Sequence, residues 1–241
     1  MLSKDVKLDS IKFGAFKISD VGIKSVYMSH EDKPLIIQTP KMVATFGLNK
    51  YNPGGIVAEV DPDFVEKYSL NLSMRNINTN FAMGYFHNLI KGIDAITVAE
   101  GVENSKSWFK KQHSVAVLTE LYSSTIMFPK DKETGDITDK YPPTFRISIP
   151  VKNGKIICDC VDENDVKLEL TTIPKGSEVT AILMNKGLWF TGSKFGHKWT
   201  VNKLRVIIKT NELKAFAFKD SLSDDEPLDV KKEKEEEEDE E

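Results

Sequence analysis

The sequence predicts a mostly β chain with minor α content (an α+β class), with a small Greek-key barrel or sandwich in its second half. Three observations predict it. Short alternating runs recur between Gly, Pro and Asn-Gly breaks over residues 121–209. One stretch, from Asn78 to about Ala99, switches to a spacing of three and four. The last 22 residues carry almost no apolar side chains.

Taken in order, "SIKFGAFKIS" (10–19) and "GIKSVYMS" (22–29) read as a hairpin. "PLIIQTP" (34–40) and "KMVATFGL" (41–48) are β-branched and divided by Pro40. "KYNPGG" (50–55) is a turn cluster, and "KYSLNLSM" (67–74) aligns Leu70, Leu72 and Met74 on one face. Phe81, Tyr85, Leu89, Ile93 and Ile96 then mark an amphipathic helix capped by Asn78 or Thr79. A short helix is expected over 104–112.

Strands follow at 121–128, 144–151 and 154–161, the last two joined by Asn153-Gly154, a strong hairpin signal. Residues 130–143 form a long polar loop. Strands at 177–185 and 188–192 bracket an expected tight turn at Lys186-Gly187, and residues 198–209 form the final strand. In that strand Leu204, Val206 and Ile208 are expected to share the core face with Thr200 and Asn202. Trp199, Val201, Lys203, Arg205, Ile207 and Lys209 are expected on the opposite face. The expected domain plan is a β-rich region with helix packing over 1–120, a barrel core over 121–219 and a disordered tail over 220–241.

Charge divides the same way. The chain holds 33 basic and 37 acidic residues, net −4. Residues 220–241 hold 13 of the acids and 3 of the lysines, leaving 30 basic and 24 acidic residues in 1–219, a body of +6. A basic body with an acidic tail points to a polyanionic partner. The tail reads as a solubilising segment, a protein-docking segment, or an internal mimic of DNA. Cys158 and Cys160 are too few for a disulfide framework, which suits a reducing compartment. The opening residues lack the apolar region of a secretory signal, and no apolar run reaches membrane-spanning length. An intracellular protein away from membranes is expected.

No P-loop, GxGxxG, HExxH or GxSxG is present, so no enzyme and no cofactor is expected. The histidines are scattered and Cys158-x-Cys160 lacks a second pair, so no metal site is expected either. Glu59, Asp61 and Asp63 form an acidic turn that a metal-dependent nuclease would need, but such turns are usually only solvated.

"GLWFTGSKFGHKWTVNKLRVIIK" (187–209) concentrates aromatics among cations. Such a mixture suits single-stranded nucleic acid, whose bases stack on rings while cations follow the phosphates. The expected binding residues are Trp189, Phe195 and Trp199 for stacking, with Lys194, His197, Lys198, Lys203, Arg205, Arg146 and Lys152 around the phosphates. The competing reading is that these aromatics are core and the lysines a solvated rim.

"PLIIQTPKMVATFGLNKY" (34–51), "YPPTFRISIP" (141–150) and "KGSEVTAILMNKGLWFTGSKFGHKWTVNKLRVI" (175–207) together resemble the single-stranded-DNA-binding-like proteins of nucleocytoplasmic large DNA viruses. The resemblance implies an OB-like β-barrel core. It also implies sequence-tolerant single-stranded DNA binding in viral replication, repair or recombination, at an intracellular replication site in the host cytoplasm or nucleus. The tail ends in Glu240-Glu241, without the terminal phenylalanine of bacterial and phage single-strand binders. A non-enzymatic assembly protein and a transcription-associated RNA-binding protein are the rivals, which makes RNA the alternative polymer.

Overall fold

The computed structural model describes residues 1–51 and 67–208, so the acidic turn at Glu59–Asp63, Lys209 and the tail lie outside the described residues. In chain order the strands are β1 (Ile11–Ile18), β2 (Lys24–His30), β3 (Lys33–Pro34), β4 (Ile36–Gln38), β5 (Met42–Tyr51) and β6 (Lys67–Ser73). Three helices follow: α1 (Phe81–Glu103), α2 (Ser105–Phe109) and α3 (Val115–Leu121). The chain then returns to β structure with β7 (Ile126–Met127), β8 (Thr144–Ile149), β9 (Val151–Lys152), β10 (Lys155–Ile156), β11 (Asp159–Val161), β12 (Glu178–Thr191) and β13 (Lys194–Ile207).

Five strands close into a ring in the order β5-β6-β8-β13-β12, with β12 returning to β5. All neighbours in the ring are antiparallel except β8 and β13, which run parallel. In ring terms this is the order 1-2-3-5-4-1 of an OB-like barrel, and the mostly β class expected from sequence is what folds. Leu70, Leu72, Phe145, Ile147, Val179, Ala181, Leu183, Trp199, Val201, Leu204 and Val206 fill it, all almost completely buried. β5 and β6 supply two of the five staves. The expected boundary at residue 121 therefore cuts through the barrel, because β6 pairs with β8 along six consecutive residues. Residues 1–209 group as one compact unit.

α1 plugs one side of the barrel. The Asn80 side chain accepts a hydrogen bond from the Met83 amide at 3.0 Å, so the cap lies one or two residues later than expected. Met83, Phe86, Ile90 and Ile93 then bury on one stripe, with Phe86 edge-on to Phe145. A second apolar cluster forms where α1, α2 and α3 meet the ends of β12 and β13; it contains Trp108, Leu118, Leu188, Phe190 and Phe195. The expected strand at 121–128 is mostly absent, since 115–121 is helical and only Ile126–Met127 pairs with β8.

Two bulges decide which side chains face out. Between Ile182 and Leu183 the partner register jumps from Lys203 to Val201, which leaves Asn202 unpaired as an extra residue. The face of β13 inverts there. Phe195, His197, Trp199 and Val201 point inward before the bulge, and Leu204 and Val206 after it. The expected split of this strand was therefore wrong at its first half. The second bulge lies at Lys186-Gly187, where Asn185 pairs with Trp199 but Leu188 with His197. The expected turn is instead an interruption within one 14-residue strand, and the actual turn is Gly192-Ser193. Gly187 has φ of +88°, and a Cβ placed there would lie 2.3 Å from the Val26 carbonyl oxygen. Glycine is thus required both by its backbone and by the close approach of β2.

Candidate nucleic-acid interface

The outer face of the barrel is polar and follows directly from register. Asn49 pairs with Ser69, Ser69 with Ser148, and Ser148 with Thr200, so four short polar side chains form one row across β5, β6, β8 and β13. Lys67 flanks the row on β6, two residues from Ser69. On the other side come Asn71 and Arg146, which pair across β6 and β8, and Lys198 two residues before Thr200. Asn71 and Thr200 are buried, yet Asn71 Oδ1, Asn49 Nδ2 and Thr200 Oγ1 have no hydrogen-bond partner among the described residues. Buried polar atoms ordinarily find one.

The cations of β13 fall into two groups. Lys203 and Arg205, beyond the Asn202 bulge, are matched by acids: Lys203 Nζ lies 3.7 Å from Asp159 and Arg205 Nη2 lies 3.1 Å from Asp165. Lys194, Lys198, Arg146, Lys67 and Lys186 form no salt bridge among the described residues. Lys198 is held below the usual lysine pKa by partial desolvation of its ammonium, then by the ammonium groups of Lys67 and Lys186. Lys67 and Lys186 both act on Lys198, and none of the three has a salt-bridge partner among the described residues, which makes a local surplus of positive charge there. Lys152 lies apart, on the small β9–β10 ribbon opposite Lys155.

Of the three expected stacking residues, only Trp189 reaches this face. It pairs with Gly196, its indole lies over that glycine, and its Nε1–H donates to the His197 carbonyl at 3.3 Å. It remains half-buried. Phe195 is fully buried among Trp108, Phe109, Tyr122 and Phe190, with ring centroids 5.2–6.3 Å away. Trp199 is 1% exposed and tilts against Phe145 inside the barrel. Neither can stack on a base. Their burial follows from the inward register that the Asn202 bulge sets.

His197 is also internal. The Thr97 hydroxyl donates to the Ile93 carbonyl at 2.7 Å, which leaves its oxygen to accept from His197 Nε2–H at 2.7 Å. His197 Nδ1 then accepts from Asn185 Nδ2 at 3.1 Å, and Asn185 Oδ1 accepts from the Gly187 amide at 2.7 Å. Full desolvation lowers the His197 pKa to about 3, so the ring is neutral and contacts no phosphate. Its role is to tie α1 to the bulge that carries Lys186.

Burial raises the thiol pKa values of Cys158 to about 12 and of Cys160 to about 11. Both thiols are protonated at neutral pH, a poor state for metal ligation. No cluster of three or more metal-ligating side chains occurs among the described residues. No helix among them is long and apolar enough to cross a membrane.

Sequence reasoning did not assign Lys67, Lys186, Asn49, Ser69, Asn71 or Thr200 to the candidate interface. None carries a local signal, because what unites them is lateral pairing between strands far apart in the chain.

Among known proteins, the chain is 25% identical over 181 residues to the uncharacterized protein L291 of Acanthamoeba polyphaga mimivirus. The match covers 71% of this chain, and the chain spans only about a quarter (26%) of that relative's length. Several solved structures are similar, among them those of two bacteriophage proteins. The single-stranded DNA binding protein gp2.5 of bacteriophage T7 matches at 14% identity and a TM-score of 0.42, over 79% of this chain and 98% of that one. The single-stranded DNA-binding protein of bacteriophage Enc34, in complex with single-stranded DNA, matches at 11% identity and a TM-score of 0.44, over 73% and 88%. The strand order of the ring, rather than these likenesses, carries the fold assignment. Residues 70–222, well over half the sequence, match the family model of DUF5871, and the chain belongs to that family of unknown function.

Proposed function

We propose that this protein binds single-stranded DNA across the outer face of its barrel, without catalysing a reaction. One observation carries the reading: Lys67, Lys186 and Lys198 surround a polar row beside the half-buried Trp189, while the cations farther along β13 are already matched by Asp159 and Asp165. Free cations follow phosphates, and a ring beside them gives a base somewhere to stack. Lys194 and Arg146 extend the cationic rim. The sequence residues kept for contact are Trp189, Lys194, Lys198 and Arg146. Lys203 and Arg205 would first have to give up their acidic partners.

The setting proposed for this activity is viral DNA replication, repair or recombination inside a host cell. The tail, at −10 against a body of +6, is proposed to compete for the face and to dock replication proteins. The decisive experiment titrates oligo(dT) into the protein and follows tryptophan fluorescence, with duplex DNA and oligo(U) as competitors. Quenching that duplex fails to reverse supports the reading. Equal affinity for duplex would leave a backbone-only binder, and preference for oligo(U) would move the assignment to RNA.

A further inference from the structure

We infer that the single-strand path continues beyond the barrel onto the β1–β2 ribbon, where Tyr27 forms a second base-stacking subsite with Lys17 and Lys186 beside it. The inference rests on the single-strand reading above and adds a site to it.

Register places the subsite on the same surface. Trp189 pairs with Ser25 of β2, and Ser25 pairs with Lys17 of β1, so Trp189, Ser25 and Lys17 share one outward row. Tyr27 lies two residues from Ser25 and therefore faces the same way. Its inward neighbours confirm the parity, since Val26 and Met28 are buried while Tyr27 is 55% exposed. The Lys17 ammonium lies over the Tyr27 ring, 5.9 Å from its centroid.

The β12 bulge explains why the ring is uncovered. Tyr27 lies against Gly187, where a Cβ would be 3.1 Å from the Tyr27 Cα. The position across from the tyrosine has no side chain to shield it. Lys186, the other bulge residue, is exposed next to it and couples electrostatically to Lys198. Cations thus run from Lys198 through Lys186 to Lys17, with Trp189 and Tyr27 between them. Lys12, farther along β1, is excluded because Asp32 holds it at 2.9 Å. From β13 to β2, which carries Tyr27, is two strand spacings, about 10 Å. A polymer reaching Tyr27 must therefore be longer than one held by the barrel face alone.

The test compares oligo(dT) lengths by fluorescence anisotropy, from the shortest that the full chain holds measurably up to about 16 nucleotides. Tyr27→Ala should weaken binding of the long oligonucleotide on the order of tenfold and leave the short one unchanged. Tyr27→Phe should restore wild-type behaviour. Photo-crosslinking of the unaltered chain to an oligonucleotide carrying 5-iododeoxyuridine should give an adduct on Tyr27, which needs no variant to fold. Equal loss at both lengths, or no loss at either together with no Tyr27 adduct, overturns the inference while single-strand binding stands. Absence of binding by the wild type at every length overturns both readings.

Discussion

Thr97 Oγ1 lies 2.7 Å from Nε2 of His197, one hundred residues away in sequence, and the contact fixes the imidazole as the neutral Nε2–H tautomer. A group that must stay neutral makes stability depend on pH. The folded pKa of about 3 lies below the ordinary value of 6.5, so the unfolded chain binds the proton more tightly. The His197 contribution is fully present above pH 6.5 and is lost as pH falls toward 3, at roughly 1.4 kcal/mol per pH unit. Urea titrations of wild type and His197→Gln across this window should converge at the acidic end. Parallel curves would mean that the ring is not desolvated.

Trp199 and Trp189 should separate stability from affinity. Trp199→Ala removes a ring from the barrel interior and should cost about 3–5 kcal/mol of folding free energy. Trp189→Ala should weaken oligo(dT) binding by about 1–3 kcal/mol per stacked base with a much smaller change in melting temperature. Melting curves and binding isotherms of both variants decide the matter, and an exchange of the two phenotypes would invert the face assignment.

Neutralising Lys67, Lys186 and Lys198 together, each to Gln, should flatten the salt dependence of binding. Each lost phosphate contact removes about 0.7 from the slope of log affinity against log salt for single strands. Lys203→Gln should leave the slope nearly unchanged, because Asp159 already balances that charge. A slope loss from Lys203 equal to that from Lys198 would move the phosphate path toward β11.

Removing residues 220–241 should tighten single-strand binding, most at low salt where screening is weakest. The full-length chain should show the shallower salt slope, since salt also releases a competing tail. Coincident curves for the two forms would leave the tail a solubility or docking segment.

The barrel was legible where alternation runs undisturbed. Phe145, Ile147 and Ile149 point inward as their spacing predicts, whereas α1 forms where its period marks it but buries Met83, Phe86, Ile90 and Ile93, keeping only Leu89 and Ile93 of the expected stripe buried and leaving Phe81 and Tyr85 exposed. The site was less legible because the rule of two fails at a bulge. Asn202 has no side-chain feature that announces an extra residue, yet it puts Trp199 and Lys203, expected on one face, on opposite faces. The richness of 187–209 in rings was real, but Phe190 and Phe195 serve the packing of Trp108 and Leu118. Tyr27 carries no local sequence signal, because its cationic neighbours come from β1 and from the β12 bulge, not from its own strand.

β13 is the last strand of the ring and lies between β8 and β12, both made before it. Until it arrives, β8 and β12 have no lateral bond to one another, and Leu70, Ile147 and Leu183 border an open trough. A ribosome must therefore release nearly every residue up to Ile207 before the barrel can shut. Nascent chains halted before that point should be sticky, protease-sensitive and dependent on chaperones, a hazard common to topologies dominated by distant pairings.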